Sequence, residues 1–262
     1  MLAKEYESYN KNMEFIQPKL DGVRCNIFNG KAISRRNKPF YSVNHIIAEL
    51  NIPDGIHLDG ELYNHSLKHD FNKIVSLVKK EHIDDDQLKE IESLVEYHIY
   101  DMWDDNNPHL TFSERNKIIN RLFSGLNHVK IVPTFKINSE EELEQYRIQF
   151  IEQGYEGAIL RLDKPYEHKR SKNLLKYKVF NEEEFVIIDI CEGRIKGYAE
   201  YAVVKLPEGS CKATIAMSLD DCIDLLKNKD AYIGQLSTVK YFGYTNDNKL
   251  RFPVLKSIRN YE

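Results

Sequence analysis

The sequence feature that most constrains this chain is a run near its start, FIQPKLDGVRCNIFNGKAIS, from Phe15 to Ser34. Asn29-Gly30 lies between two short apolar-rich segments, Cys25 to Phe28 and Lys31 to Ile33. In that setting Asn-Gly specifies a type I′ hairpin turn, because both residues tolerate positive φ. The run therefore reads as an extended strand, a tight Lys-Leu-Asp-Gly turn and then a hairpin, which puts Lys19 at the mouth of a sheet rather than on a helix. Between Lys19 and Arg24 the turn gathers an amine, a carboxylate, a glycine and a guanidinium. Glycine lets backbone approach a ligand closely. A lysine amine is a nucleophile only without its proton, which requires burial or neighbouring cations such as Arg24. Taken alone, a Lys-x-Asp-Gly turn is more often an ordinary charged surface turn.

Further along, Phe71, Ile74, Val75 and Val78 recur at helical spacing, and Thr111 with Glu114 and Ser139 with Glu142 have the form of capping boxes. The second box opens a helix carrying Leu143, Tyr146 and Phe150 that stops at Gly154. Strands are expected at Ile56 to Leu62, Tyr97 to Met102 and Gly157 to Leu162, making a mixed α+β unit over residues 1–180. Asn181 to Glu184 reads as an acidic connector. Beyond it come short strands at Phe185 to Ile190, Tyr201 to Leu206, Cys211 to Ile215, Ser237 to Tyr244 and Leu250 to Phe252, with one helix opened by Ser218. That pattern over 181–262 suits a small β-barrel of the OB type or a sandwich. The acidic run Asp84 to Asp86 reads as a solvated loop, and the nine histidines, scattered without ligand spacing, as ordinary polar residues.

Composition narrows the functional classes. With 42% apolar and 30% charged residues in 262, the chain can bury a core and is not of the disordered type. No apolar run reaches the roughly 18 residues of a membrane span, and the opening residues lack a signal-peptide core, so a cytoplasmic location is expected. Four cysteines, with no Cys-x-x-Cys pair, disfavour disulfides and structural zinc. A net charge of −4 argues against a protein held on nucleic acid by bulk electrostatics alone. One local basic patch exists, Lys164, Lys169, Arg170, Lys172, Lys176 and Lys178, opposed only by Glu167.

The Lys19 turn gains meaning from the segments downstream of it, in order Ser34-Arg35, Asp59-Gly60-Glu61-Leu62-Tyr63, Tyr100-Asp101, Glu156-Gly157-Ala158-Ile159-Leu160 and Leu174-Leu175-Lys176-Tyr177-Lys178. In this series the chain resembles the covalent nucleotidyltransferases, and among them the ATP-dependent DNA ligases in a minimal two-domain form like that of phage and viral enzymes. All but the last of that superfamily's collinear motifs stand here. Met1-Leu2-Ala3 resembles the lead-in and Leu250-Arg251-Phe252-Pro253 the last OB strand.

The resemblance implies an α+β nucleotidyltransferase (adenylation) domain of antiparallel sheets flanked by helices, followed by a small OB-fold barrel, acting as a DNA ligase that seals nicks between a 5′-phosphate and a 3′-hydroxyl. Carried over motif by motif, Lys19 is the nucleophile that takes AMP from ATP. Lys176 and Lys178 stand beside the α-phosphate and favour the unprotonated form of Lys19 as like charges. Arg24 and Glu61 hold the ribose hydroxyls, Tyr100 stacks on adenine, and Gln17 lies near the adenine edge. Glu156 binds Mg²⁺ or Mn²⁺, partly through substrate phosphates. Arg35, or its neighbour Arg36, touches the nick phosphate. Nicked duplex DNA is the implied partner of a monomer, with no membrane association.

An RNA ligase, an mRNA guanylyltransferase and a non-catalytic nucleic-acid-binding module share parts of this pattern. The terminal motif departs from the family's: Arg259 is present in Arg259-Asn260-Tyr261-Glu262, but the acid and lysine that usually follow are not, with Arg251 or Lys256 as substitutes. The short lead-in to Lys19 leaves no room for a separate DNA-binding domain, and the OB segment shows no long basic insertion. Weak, salt-dependent DNA affinity or an accessory clamp or DNA-binding protein is therefore expected.

The barrel is expected to close over ATP for the first step, pivoting at Phe180 to Glu184. Truncation after Phe180 should then abolish most self-adenylylation while sparing more of the sealing of a pre-adenylylated nick, measured as label transfer in each half-reaction.

Overall fold

The computed structural model describes every residue except His69, Val179, Ile195, Asn246, Asn260, Tyr261 and Glu262. The chain divides into two compact units, 1–178 and 179–262. Among its described residues the first contains ten strands: β1 (Leu2–Glu5), β2 (Met13–Lys19), β3 (Val23–Phe28), β4 (Lys31–Ser34), β5 (Ile56–Tyr63), β6 (Glu96–Asp104), β7 (Val129–Ile131), β8 (Phe135–Lys136), β9 (Gly157–Leu162) and β10 (Arg170–Lys178). Its helices are α1 (Asn44–Glu49), α2 (Phe71–Val78), α3 (Asp85–Leu94), α4 (Phe112–Phe123) and α5 (Glu140–Glu152). Two five-stranded sheets result, in the orders β1-β10-β9-β2-β8 and β4-β3-β5-β6-β7. Both are antiparallel except at one edge, where β1 runs parallel to β10 and β7 parallel to β6.

The local rules that predict these elements act as expected. Asn29 and Gly30 both adopt positive φ, 48° and 69°, joining β3 to β4. The Thr111 amide donates to Glu114 Oε2 at 2.8 Å to open α4, and Ser139 Oγ accepts from the Glu142 amide at 3.2 Å to open α5. Each sheet has its own core. Ile27, Leu58, Leu62, Tyr97, Ile99 and Met102 back one sheet against α2, α3 and α4 residues such as Ile74, Ile91 and Ile119. Ile16, Ala158, Leu160 and Leu175 back the other against Leu143 and Phe150 of α5.

The second unit contains β11 (Asn181–Glu192), β12 (Ala199–Lys205), β13 (Ser210–Ile215), β14 (Leu236–Tyr241) and β15 (Val254–Ile258), with α6 (Leu219–Lys227) and α7 (Lys229–Tyr232). The strands close into a barrel in the order β11-β12-β13-β15-β14 around Ile187, Val204, Ala213, Val239 and Leu255. Closure joins the two ends of the sheet, which decides between the OB-type barrel and the sandwich.

Three expectations are corrected. Asn181 to Glu184 is not a connector but the first part of β11, in register with Thr238 to Tyr241 of β14, so a pivot cannot lie inside that paired segment. The closing strand is Val254–Ile258 rather than Leu250 to Phe252; Leu250 makes a single bridge to Tyr244, and Phe252 is 70% exposed with φ 49°. Asp84 does not sit in a free loop, because its side chain caps α3 by accepting from the Gln87 amide at 2.8 Å, and Asp85 and Asp86 occupy the first turn, where the helix dipole favours acids. Of the divergent terminal motif, Arg259 pairs with Glu184 at 3.2 Å, and Asn260 to Glu262 lie outside the described residues, as does His69.

Gly157 is the position where backbone geometry binds most tightly. Its φ is +144°, and a Cβ there would stand 2.3 Å from the Tyr177 carbonyl oxygen of the neighbouring strand. Gly157→Ala should destabilise the first unit by about 2 kcal/mol or more, read as a lower denaturant midpoint at unchanged slope.

Candidate active site

Lys19, Gly157 and Lys178 are directly opposite one another across β2, β9 and β10, because Lys19 pairs with Gly157 and Gly157 with Lys178. Residues in cross-strand register share a face. Both ammonium groups therefore project from the same side of the sheet, over a central position with no side chain. Glu156, one residue before β9 and fixed by its amide donating to the Lys19 carbonyl at 2.9 Å, reaches between them. Its Oε2 accepts from Lys19 Nζ and its Oε1 pairs with Lys178 Nζ. The Glu156 side chain is only 5% exposed. Burial works to raise its pKa, but the two ammonium groups outweigh it and hold the carboxyl below its ordinary range.

Lys19 also borders a cleft of about 170 Å³ within the first unit, lined among others by Gln17, Arg24, Glu61, Tyr100 and Arg161. The two sheets contribute opposite walls. Gln17, Ile159 and Arg161 come from β2 and β9; Arg24, Glu61 and Tyr100 come from β3, β5 and β6. Arg24 and Glu61 are cross-strand partners. The Lys19 turn can pass close to this wall only because position 22 is glycine, where a Cβ would meet the Leu62 carbonyl at 2.5 Å and Glu61 Cγ at 2.8 Å.

Tyr100 owes its position to a β-bulge. Asp59 pairs with Asp101 and Gly60 with Ile99, which leaves Tyr100 as the extra residue of β6. A bulge re-aims side chains. Here it lets consecutive residues serve one side: Tyr100 lines the cleft, while Asp101 accepts from Arg161 Nη1 at 2.6 Å and from Arg115 Nε at 2.8 Å. Arg161 Nε in turn donates to Gln17 Oε1 at 2.7 Å, and Gln17 Nε2 donates to Thr134 Oγ1 at 2.9 Å and the Tyr100 carbonyl at 3.3 Å. Gln17 is buried, and its amide orientation is set by these partners.

On the facing wall Arg24 makes a two-pronged pair with buried Asp59, Nε to Oδ1 at 2.8 Å and Nη2 to Oδ2 at 2.7 Å. Burial would raise the Asp59 pKa, but Arg24 outweighs it and lowers it. Glu61 has no such direct cation among the described residues. Burial dominates there, with nearby Asp59 adding to it against Lys19 and Arg24, and its pKa is pushed up to about 8.

Of the residues expected in the site, Gln17, Lys19, Arg24, Glu61 and Tyr100 line the cleft, and Glu156 and Lys178 adjoin it through Lys19. Two expected members stand apart. Lys176 pairs with Glu5 of β1 at 2.7 Å rather than flanking Lys19, since β10 places it one cross-strand step further along, opposite Ile159 and Glu5. Arg35 and Arg36 occupy the exposed turn after β4, outside the cleft. Sequence reasoning misses Asp59, Arg161, Arg115 and Tyr166. Asp59 and Arg161 each lie within or beside a quoted motif, whereas Arg115 and Tyr166 carry no local signal.

Among the described residues no group of three or more His, Cys, Asp or Glu is placed to cage a metal ion. One carboxylate, Glu156, between two cations suits an ion carried mainly by substrate phosphates rather than a resident one.

Two sheets facing across a cleft, with a lysine at its mouth and a closed barrel following in sequence, define a nucleotidyltransferase unit joined to an OB-type barrel. Comparison with known proteins gives the lineage: the ATP dependent DNA ligase domain family matches residues 1–178, and the chain belongs to that family. It is 27% identical over 197 residues to the DNA ligase of an African swine fever virus isolate, an alignment that takes in 68% of this chain and 45% of the relative, so the chain spans about half the length of such relatives. The DNA ligase of Haemophilus influenzae is 26% identical over 264 residues, covering 96% of this chain and 89% of that one. A solved Lig E DNA ligase structure, described as binding DNA with a minimal scaffold, superposes with a TM-score of 0.81 at 25% identity and covers 98% of each chain.

The Glu61 shift makes stability depend on pH. The folded state keeps a proton that the unfolded chain releases above about 4.5, so this contribution is present in acid and is lost as pH rises toward 8. Glu61→Gln, which cannot titrate, should gain on the wild type between pH 5 and 8 by up to about 1.4 kcal/mol per pH unit, measured by urea unfolding of the nucleotide-free protein.

Proposed function

We propose that this chain is an ATP-dependent DNA ligase that seals nicks bearing a 5′-phosphate and a 3′-hydroxyl through a lysyl-AMP intermediate. The observation that carries the reading is the cross-strand row of Lys19, Gly157 and Lys178 with Glu156 between the two amines, at the mouth of a cleft walled by Arg24, Glu61 and Tyr100. In the first step the Lys19 amine loses its proton and attacks the α-phosphorus of ATP. An N–P bond forms and the bond to the pyrophosphate oxygen breaks. Arg24 and Glu61 receive the ribose hydroxyls, Tyr100 offers its ring to adenine, and Gln17, oriented by Arg161, meets the base edge. The 5′-phosphate at the nick then takes AMP from Lys19, and the 3′-hydroxyl displaces AMP to join the strands.

The ion pair between Lys19 and Glu156 refines the electrostatic expectation. Glu156 engages the Lys19 amine, so the carboxylate has to release that contact before the nitrogen can reach the α-phosphorus, with Lys178 still beside it. A Mg²⁺ or Mn²⁺ ion held by Glu156 and the phosphates would neutralise phosphate charge in the transfer. Lys178 stays beside the α-phosphate as an electrostatic stabiliser. Lys176 would act there only after leaving Glu5, and Arg35, on an exposed turn, suits a contact with the nick phosphate on the protein surface.

Duplex DNA with a nick is the proposed partner of a monomer, with ATP as co-substrate and an accessory clamp or DNA-binding protein as an aid to affinity. The Lig E structure it resembles is described as binding DNA with a minimal scaffold, which supports DNA as the partner. A cytoplasmic location, that of the host if the gene is viral, fits the composition; no helix among the described residues is long and apolar enough to cross a membrane.

Incubation with α-labelled ATP and Mg²⁺ should place acid-labile label on the wild-type polypeptide and none on Lys19→Ala, with transfer to nicked DNA in preference to nicked RNA and no labelling by GTP. Equal labelling of both proteins, or of neither in the presence of pyrophosphatase, would falsify the assignment.

A further inference from the structure

Tyr166 belongs to none of the motifs, yet its hydroxyl reaches the nucleotide cleft from behind. It donates to Asp59 Oδ2 at 2.7 Å and lies 3.4 Å from Arg24 Nη2, and the amino group of Met1 approaches it as well. Asp59 also accepts from Asn26 Nδ2 at 2.9 Å. The carboxylate is thereby held at Oδ1 by Asn26 and at Oδ2 by Tyr166 and, at 3.4 Å, by the Met1 amino group, besides the two prongs of Arg24. Because Nε and Nη2 of Arg24 are committed to Asp59, its Nη1 group is the part left to present to the cleft that Arg24 lines. The ring of Tyr166 is fixed independently, stacked on Trp103 at 5.4 Å between centroids with the Arg115 guanidinium 5.7 Å from its centre.

From this arrangement we infer that Tyr166 is a positioning residue for nucleotide binding: its hydroxyl locks Asp59, and Asp59 aims Arg24 at the ribose. The inference rests on the reading of Arg24 as a ribose ligand. It differs from a packing role in what it predicts. A side chain that merely fills space affects every nucleotide alike, whereas one that aims Arg24 matters only for nucleotides carrying the hydroxyl that Arg24 holds. Removing the hydroxyl leaves Asp59 Oδ2 with Arg24 and the longer Met1 contact alone, which loosens the carboxylate and the guanidinium it aims, so the ribose contact weakens while the phosphates and base are held as before.

The test is Tyr166→Phe, which keeps the stacked ring and removes only the hydroxyl. Self-adenylylation is followed with ATP, 2′-deoxy-ATP and 3′-deoxy-ATP, and the emission of Trp103, the chain's one tryptophan, reports whether the ring stays seated. The expected result is a KM for ATP raised about three- to tenfold with kcat little changed. The KM for whichever deoxy analogue lacks the Arg24-bound hydroxyl stays unaltered, so discrimination between it and ATP collapses, and Trp103 emission is unchanged. Retained discrimination overturns the inference. So does a parallel loss on all three nucleotides, which would give the ring a packing role alone. A wild-type protein that takes label but treats the three nucleotides alike overturns the ribose role of Arg24 and this inference with it, whereas a wild type that takes no label overturns the adenylylation reading itself.

Discussion

Strand register is the constraint on which the rest of the site depends. Lys19 and Lys178 are far apart in the chain, yet they share a face because β2 and β10 both pair with β9 at Gly157. A slip of one residue in either pairing would turn one lysine toward the opposite face. Gly157 is what permits this register: with φ +144° and the Tyr177 carbonyl oxygen 2.3 Å from where a Cβ would stand, β9 can begin between the two strands only without a side chain. The charges follow from the geometry. Two ammonium groups on one nearly buried carboxylate form a cluster with a net positive charge, ready for an anionic phosphate.

Behind that row the cleft is organised by two buried carboxylates, each acting on a different wall. Asp101 holds Arg161 and Arg115, and through Arg161 fixes the amide of Gln17. Asp59 holds Arg24. Buried ion pairs carry a heavy desolvation cost and are weak evidence for stability. Their effect here is geometric: each locks a long, flexible guanidinium into one orientation, so the groups facing the cleft are pre-organised before any nucleotide arrives.

How much of this is legible in the sequence depends on whether the determining contact is local. The Asn29-Gly30 turn, the caps of α4, α5 and α6, and β9 at Gly157 to Leu162 are readable because residues a few positions apart decide them. The acidic residues after Phe180 have the composition of a linker, whereas their pairing with β14 is fixed by residues far along the chain. The closing barrel strand escapes for a related reason: Leu250 is buried in the barrel core as its apolarity suggests, but it makes only an isolated bridge, Phe252 is turned out to solvent, and the ladder begins at Val254 through pairing with distant β13 and β14. In the site, motif residues carried over from the resemblance reach the cleft wherever register alone decides. Lys176 does not, because Glu5, on a strand whose pairing no pattern announces, competes for it. Tyr166 and Arg115 are invisible because their roles exist only through partners distant in sequence.

The bulge in β6 separates two properties that sheets usually tie together. A residue inside a ladder supports its neighbours on both adjoining strands, so exchanging it disturbs the fabric. Tyr100 stands outside the pairing that flanks it, between Ile99 and Asp101, which carry the ladder. The ring offered to the cleft at this point can therefore be exchanged for another that fills the same place beside Leu20, Tyr63 and Val132 without unmaking a rung of the ladder, so the lining and the sheet that carries it are free to change separately.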